Sequence, residues 1–532
     1  MAAISDLLQA AQRAVPRESS PTRAAANCIL GIFILWWLFS TVKQYLRLRH
    51  FRGPPLAAFS KLWHLKTVWG PKAHLDFYDV VKKYGNLARV GPNDLIMEDP
   101  ELVKRVLGAR STYRRADWYD AVRFHPKKNN VLSMRDEDEH AKLRAKMAAG
   151  LTRIELTSSK YNGKHVQDFE KKLDNNLSNF FRLLGRYVDA GQPFDFARKV
   201  QYFTLDVITD LAFGDPMGFM VEDGDVYDYI ETTEKAMPSF ITLTVFPWVV
   251  TKILSNPLFR SVLPSDKDII GMGKVMGIAK KYAAERFGPD KKVQRDMLGS
   301  FIAHGMTQEE AESEILLQVF AGSDTSATTI RATILHVITN PRVLNRLLAE
   351  IDAAAPHTAQ PVIADAEARA LPYLQAVIKE GLRIFQPAAS FAAKEAPPEG
   401  DVWKGTFIPG GTRIGWSVWA VLRREETWGK DSAEFRPERW IMEADGGSCT
   451  SAEKLRGMEG VWDLVFSYGR HQCLGKPVAV MELNKVFFEL FRRFDFSICY
   501  PLTPWKTANC GVHLQSEMWM RGYRRGEAMG WF

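Results

Sequence analysis

The chain has 532 residues, is 46% hydrophobic and carries a formal net charge of +8, enough apolar material for one large core or two modest domains. Five cysteines (Cys28, Cys449, Cys473, Cys499, Cys510), odd in number and without paired spacing, exclude a disulfide framework and point to a reducing compartment; with no Cys-x-x-Cys pair the usual zinc signature is excluded too. Residues 1–52 hold Arg13, Arg17, Arg23, Lys43, Arg47, Arg49 and Arg52 against Asp6 and Glu18, a local charge of +5, so the remainder is only mildly basic and nucleic acid is an improbable partner.

The first predicted element is apolar. Ala24 to Val42 contains nineteen uncharged residues in a row. As a helix it spans about 28 Å, close to the hydrocarbon core of a bilayer, about 30 Å. The basic cluster from Lys43 to Arg52 follows at once, and the positive-inside rule then puts the C-terminal bulk in the cytosol. A cleaved signal peptide fits less well, because the run starts late and lacks small residues at its end. A buried core helix is the other alternative, but Trp36-Trp37 beside a basic cluster suits a membrane interface better. Gly53-Pro54-Pro55 breaks the helix and reads as a stiff hinge. The expected organisation is an anchored segment, residues 1–52 with the span at about 24–42, followed by one domain over 53–532.

Asp136 to Arg144 reads as a helix with His140 and Arg144 on one face. Thr307-Gln-Glu-Glu310 reads as a capping box opening a long helix that runs to about Thr339, where Pro341 stops it. Inside lies Ala321-Gly-Ser-Asp-Thr-Ser326, where Gly322 next to an acid–alcohol pair predicts a local distortion. Pro372 stands near the first position of another helix. On it, Glu380 and Arg383 share a face. Phe435-Arg-Pro-Glu-Arg439-Trp440 follows as a loop. Cys473 then sits in a glycine-rich turn, ahead of an apolar helix from about Pro477 to Phe491. Gly469 and Gly475 permit close backbone approach or positive φ. Backbone N–H groups before that helix can point at the sulfur and stabilise a thiolate. Read one at a time, each feature has a plainer alternative: a buried free thiol, a polar packing patch on a helix, a surface ion pair.

The segment Phe466-Ser-Tyr-Gly-Arg-His-Gln-Cys473-Leu-Gly475 resembles the heme-binding loop of the cytochrome P-450 superfamily, Phe-x-x-Gly-x-Arg-x-Cys-x-Gly. His471 stands where the family usually has arginine. The resemblance implies Cys473 as the axial ligand of heme iron, Phe466 and Gly469 as loop residues around heme b, and His471 as a propionate contact that depends on pH. Asp324-Thr325 resembles the family's oxygen-activation motif. Thr325 would hold the water network and Asp324 would help supply protons. Glu380 and Arg383 resemble the family's Glu-x-x-Arg, with Arg439 as the implied third member that fixes the cysteine loop. His140 and Arg144 align with Trp-x-x-x-Arg, which implies propionate contacts, and Lys394 occupies another such position. The order and spacing of these motifs leave little room for coincidence.

The implied fold is mainly helical with small sheets, heme lying between the long central helix and the cysteine loop, behind one N-terminal transmembrane helix. The implied reaction inserts one oxygen atom from O2 into a C–H bond. Electrons would come from NADPH through a separate NADPH–cytochrome P-450 reductase, with cytochrome b5 as an additional partner, at the endoplasmic reticulum membrane. Within the superfamily the motifs look most like filamentous-fungal enzymes such as the pisatin demethylase-like group, which implies a terpenoid, polyketide or alkaloid intermediate as substrate. Contact regions are implied at Ser111–Leu132, Phe213–Pro264, Pro387–Phe391 and Gly511–Trp519. Two other classes stay open: a heme-thiolate isomerase, dehydratase or desaturase, and a non-catalytic heme-binding sensor. Isomerases often lack the acid–alcohol pair, and a sensor has no need of it.

Overall fold

The computed structural model describes residues 21–125, 128–152, 164–256, 258–259, 263–359 and 361–526. Arg13, Arg17 and part of the expected contact region 213–264 therefore lie outside the described residues. The expected mainly helical architecture with small sheets is what the backbone adopts. The longest helix, Gln308–Ile338, starts at a capping box: Glu310 N–H donates to Thr307 Oγ1 at 3.3 Å and Thr307 N–H donates to Glu310 Oε2 at 2.7 Å. Nearly every side chain from Ser326 to Val337 is buried, so this helix runs through the core.

Gly322 does not distort that helix, contrary to the sequence expectation. The helix is continuous through it, and a Cβ there would fall 2.5 Å from Ile208 Cγ1. Glycine lets helix Phe196–Phe213 approach closely. The same device docks helix Pro372–Ile384 on the other side, since a Cβ at Gly381 would lie 2.0 Å from Thr333 Oγ1.

Among the described residues the largest sheet has five strands, in the order Leu87–Gly91, Asp94–Met97, Arg413–Trp416, Lys394–Glu395 and Arg114–Arg115. Its last two strands pair antiparallel, with Arg115 directly opposite Lys394. Both side chains are buried.

The N-terminal helix runs from Pro21 to Leu48, and Asn27–Leu48 is long and apolar enough to cross a membrane. It extends past Val42 because its foot is docked. Arg47 bonds Thr412 Oγ1 at 3.2 Å, Arg89 donates to Gln44 O at 3.3 Å, and Leu48 and Phe51 are buried. Gly53 is pinned in turn: Arg89 N–H donates to Arg52 O at 2.8 Å, and a Cβ at Gly53 would lie 2.0 Å from Arg89 O. The expected hinge is thus a fixed joint, and contacts cross the expected boundary between residues 52 and 53.

Candidate active site at the cysteine loop

The loop around Cys473 is tightly wound. Cys473 N–H donates to Phe466 O at 2.8 Å and closes it. Gly469 has φ +64, and a Cβ there would meet Leu107 O at 2.4 Å, so only glycine fits. Gly475 differs from expectation. Its φ is −80, and a Cβ would sit 3.8 Å from Cys473 Sγ, an ordinary contact. Its contribution is its N–H, which points at the sulfur together with that of Lys476, the first residue of helix Lys476–Arg493. Burial pushes the Cys473 thiol up, while these N–H groups and the Arg144 and Lys476 charges oppose the rise. Protein atoms crowd round the sulfur, yet Cys473 keeps accessible surface.

A buried ion cluster braces this loop from behind. Arg383 bonds Glu380 through Nε at 2.9 Å and Nη2 at 2.8 Å, and both side chains are fully buried. Arg439 Nε adds a bond to Glu380 at 3.0 Å, and Trp440 Nε1 another at 2.9 Å. The remaining guanidinium hydrogens find carbonyls at Leu422, Ser432, Glu434 and Trp428. Burial pushes the Glu380 carboxyl up, but the Arg383 and Arg439 charges prevail and hold it below its ordinary range. Trp462 Nε1 donates to Lys379 O at 2.9 Å, and its ring packs edge-on against Phe466, which ties the cluster to the loop. The three residues expected to meet do so. Trp440 was missed, though it adjoins Arg439.

On the central helix, Ala321 is exposed and Thr325 half-buried amid buried neighbours. Thr325 Oγ1 donates to Ala321 O at 2.8 Å. Asp324 turns the other way. Its Oδ1 accepts from Gln201 Nε2 at 2.9 Å, and Gln201 Oε1 accepts from Arg331 and Arg198, each at 3.2 Å. Arg198 pairs with the half-buried Glu234. Burial pushes Asp324 up to about 6 against the nearby Arg331 charge, a value from which it can both take and give a proton. Gln201 and Arg331 carry no sequence signal for this role, because only helix packing brings them to Asp324.

A third cluster gathers His140, Arg144, His471 and Lys394 as expected, and adds Arg115, Glu137 and Arg470. The His140 and His471 rings lie 4.7 Å apart. Lys394 Nζ is 3.0 Å from His471 Nδ1, and His471 Nε2 is 3.2 Å from Glu137 Oε2. Burial and the Arg115 charge push His140 down to about 3; burial, Lys394 and Arg115 push His471 down to about 4. Burial and Arg115 also bring Lys394 down to about 7. Glu137, His140 and His471 sit close enough to hold a metal ion. The surrounding Lys394 and Arg115 make the place a receiver of anions instead.

Heme fits these residues. An accessible sulfur backed by N–H donors suits the iron. Buried like charges directly opposite each other, as at Arg115 and Lys394, are unfavourable without an anion to share. Two propionates would supply it.

The four expected contact regions converge. Trp118, Ile241, Thr244, Ser390, Phe391 and Gly511 all line one small crevice of about 10 Å³. That is room for about one water, with mainly apolar walls.

Comparisons agree with this geometry. The family model described as Cytochrome P-450 matches residues 52–516. Cytochrome P-450 monooxygenase ABA1 of Pyricularia oryzae is 40% identical over 510 residues, 93% of this chain and 96% of that protein. Cytochrome P-450 monooxygenase aba1 of Botryotinia fuckeliana is 38% identical over 471 residues, 87% of this chain and 89% of that one. The crystal structure of the cytochrome P450DA heme domain superposes with a TM-score of 0.69 at 17% identity, over 89% of this chain and 97% of that one, a likeness of fold. A cysteine held open between a buried Glu–Arg brace and a cation cluster, on a chain matched from residue 52 to 516, has one consistent assignment: the chain belongs to the cytochrome P-450 family of heme-dependent monooxygenases.

Proposed function

We propose that this enzyme inserts one oxygen atom from O2 into a C–H bond of a small, largely apolar organic molecule, an intermediate of fungal secondary metabolism such as a terpenoid, polyketide or alkaloid. The observation that carries the reading is Cys473, accessible and backed by the N–H groups of Gly475 and Lys476. Heme held by such a thiolate supplies O–O cleavage, favoured by electron density pushed from sulfur. The chain's own residues do the rest. Glu380, Arg383 and Arg439 hold the loop rigid. Arg115, Arg144 and Lys394 would hold the heme propionates, with His140 and His471 packed beside them. Asp324 passes protons inward from the Arg198–Glu234 edge, and Thr325 orients the water that receives them. The acid–alcohol pair favours oxygen activation over an isomerase, a dehydratase or a passive sensor.

Electrons come from NADPH through a separate membrane-bound reductase, with cytochrome b5 as an accessory donor. The Asn27–Leu48 helix anchors the protein to the endoplasmic reticulum with the catalytic bulk in the cytosol. Exposed Leu56, Phe59, Leu62 and Trp69 continue the apolar surface beyond the anchor. Deleting the gene in its host and comparing extracts by mass spectrometry tests the reading. Accumulation of a compound one oxygen lighter than the lost product is expected. A lost product differing only in hydrogen, or rearranged at equal mass, would overturn hydroxylation in favour of desaturation or isomerisation.

A further inference from the structure

Glu137 opens the helix that carries His140 and Arg144, helix Glu137–Thr152. A carboxylate is unexpected in a cluster that receives carboxylates, yet its contacts are specific. Lys394 Nζ lies 3.0 Å from His471 Nδ1, and an ammonium can only donate. With Lys394 protonated, Nδ1 accepts and the ring hydrogen sits on Nε2. Nε2 is 3.2 Å from Glu137 Oε2, a close contact of the ring with that carboxylate. Arg470 Nη1 lies 3.6 Å from the same oxygen, while Arg470 Nη2 donates to Ser111 O at 2.7 Å. Glu137 thus holds both side chains of the Arg470-His471 pair, three and two residues ahead of Cys473. It joins three parts of the chain: its own helix, the strand bearing Lys394 and the turn leading to the sulfur.

We propose that Glu137 is a positioning residue, a resident carboxylate that clamps the turn ahead of Cys473 to the helix bearing Arg144 and lowers the reduction potential of the iron held there. The inference rests on Cys473 being the heme ligand. The clamp follows from two contacts on one oxygen, the Arg470 guanidinium at 3.6 Å and the His471 ring at 3.2 Å. The potential follows from charge. A fixed negative group among the cations that face heme offsets part of their field and disfavours the reduced, more negative iron. Removing that charge raises the one-electron reduction equilibrium constant by about tenfold, which corresponds to about 59 mV.

The test uses the full-length, heme-loaded protein. Spectroelectrochemical titration reads the potential, and the reduced carbon monoxide spectrum reads the ligation. Glu137→Gln is expected to raise the equilibrium constant about tenfold and to keep the thiolate-type spectrum. Glu139→Gln is the control: Glu139 lies on the same helix but is exposed and paired with Lys142 at 2.8 Å. That variant is expected to leave the potential unchanged. An unchanged potential in Glu137→Gln, or an equal shift in Glu139→Gln, overturns the assignment. Should Glu137→Gln lose heme, Glu137→Asp decides. Heme and potential regained with the charge restored support the clamp; heme lost there as well overturns it. A wild-type protein without a thiolate-type spectrum would instead remove the ligand assignment beneath it.

Discussion

Ser467, one residue after Phe466, has φ 62 and ψ −169, a region that glycine alone occupies without strain. Such strain costs about 1–3 kcal/mol, and glycine's extra chain entropy returns about 0.5–1 kcal/mol of that. Ser467→Gly is therefore expected to stabilise the protein by about 1 kcal/mol in chemical denaturation. Thr325 poses the functional question at this scale. Its hydroxyl already bonds Ala321 O, which holds the side chain toward the accessible face of the helix. Thr325→Ala is expected to keep heme but to divert reducing equivalents into hydrogen peroxide. The ratio of peroxide formed to NADPH consumed checks it, and an unchanged ratio would show that the proton network runs elsewhere.

Between elements, buried charge does the joining. Glu380 and Arg383 are fully buried and doubly bonded, so removing one partner strands the other. Arg383→Ala is expected to cost about 3–5 kcal/mol and to reduce heme content. Pyridine hemochrome assay and denaturation measure the two effects. A second joint links the central helix to the loop around Asn130, where Val131 N–H donates to Glu314 Oε1 at 2.6 Å. Arg115 holds the same loop from the other side, donating to Val131 O at 2.8 Å and Met134 O at 2.7 Å. Burial pushes Glu314 from 4.5 up to about 8. Its folded form thus binds a proton more tightly than its unfolded form. The stability it lends is complete below about pH 4.5 and is lost as pH rises through 8. Glu314→Gln is expected to flatten that decline in thermal denaturation between pH 5 and 9; an unaltered slope would contradict it. Local signals announced the capping box at Thr307 and the Glu380–Arg383 face, because spacing of three or four residues fixes both. Arg115 gave no such signal. Its meeting with Lys394 depends on sheet register between distant strands, and Gln201 reaches Asp324 only through helix packing. Gly322 misled for the same reason: its partner, Ile208, lies on another helix.

For the whole molecule, the order of motifs along the chain made the fold legible, while joints depend on how surfaces meet. The docked foot of the N-terminal helix is an example, since the hinge-like Gly53-Pro54-Pro55 is pinned by Arg89. A chain lacking residues 1–42 keeps the Gln44 and Tyr45 carbonyls that Arg89 bonds. It is expected to fold, and to leave the membrane only in part, because Leu56, Phe59, Leu62 and Trp69 remain exposed. Flotation with vesicles checks it; complete release would assign all membrane affinity to the anchor. The chemistry of the whole molecule turns on Cys473 binding heme iron through its sulfur. The reduced carbon monoxide difference spectrum of the full-length protein should show the thiolate-type band, and Cys473→Ala should abolish it. Persistence of that band in Cys473→Ala would contradict the account.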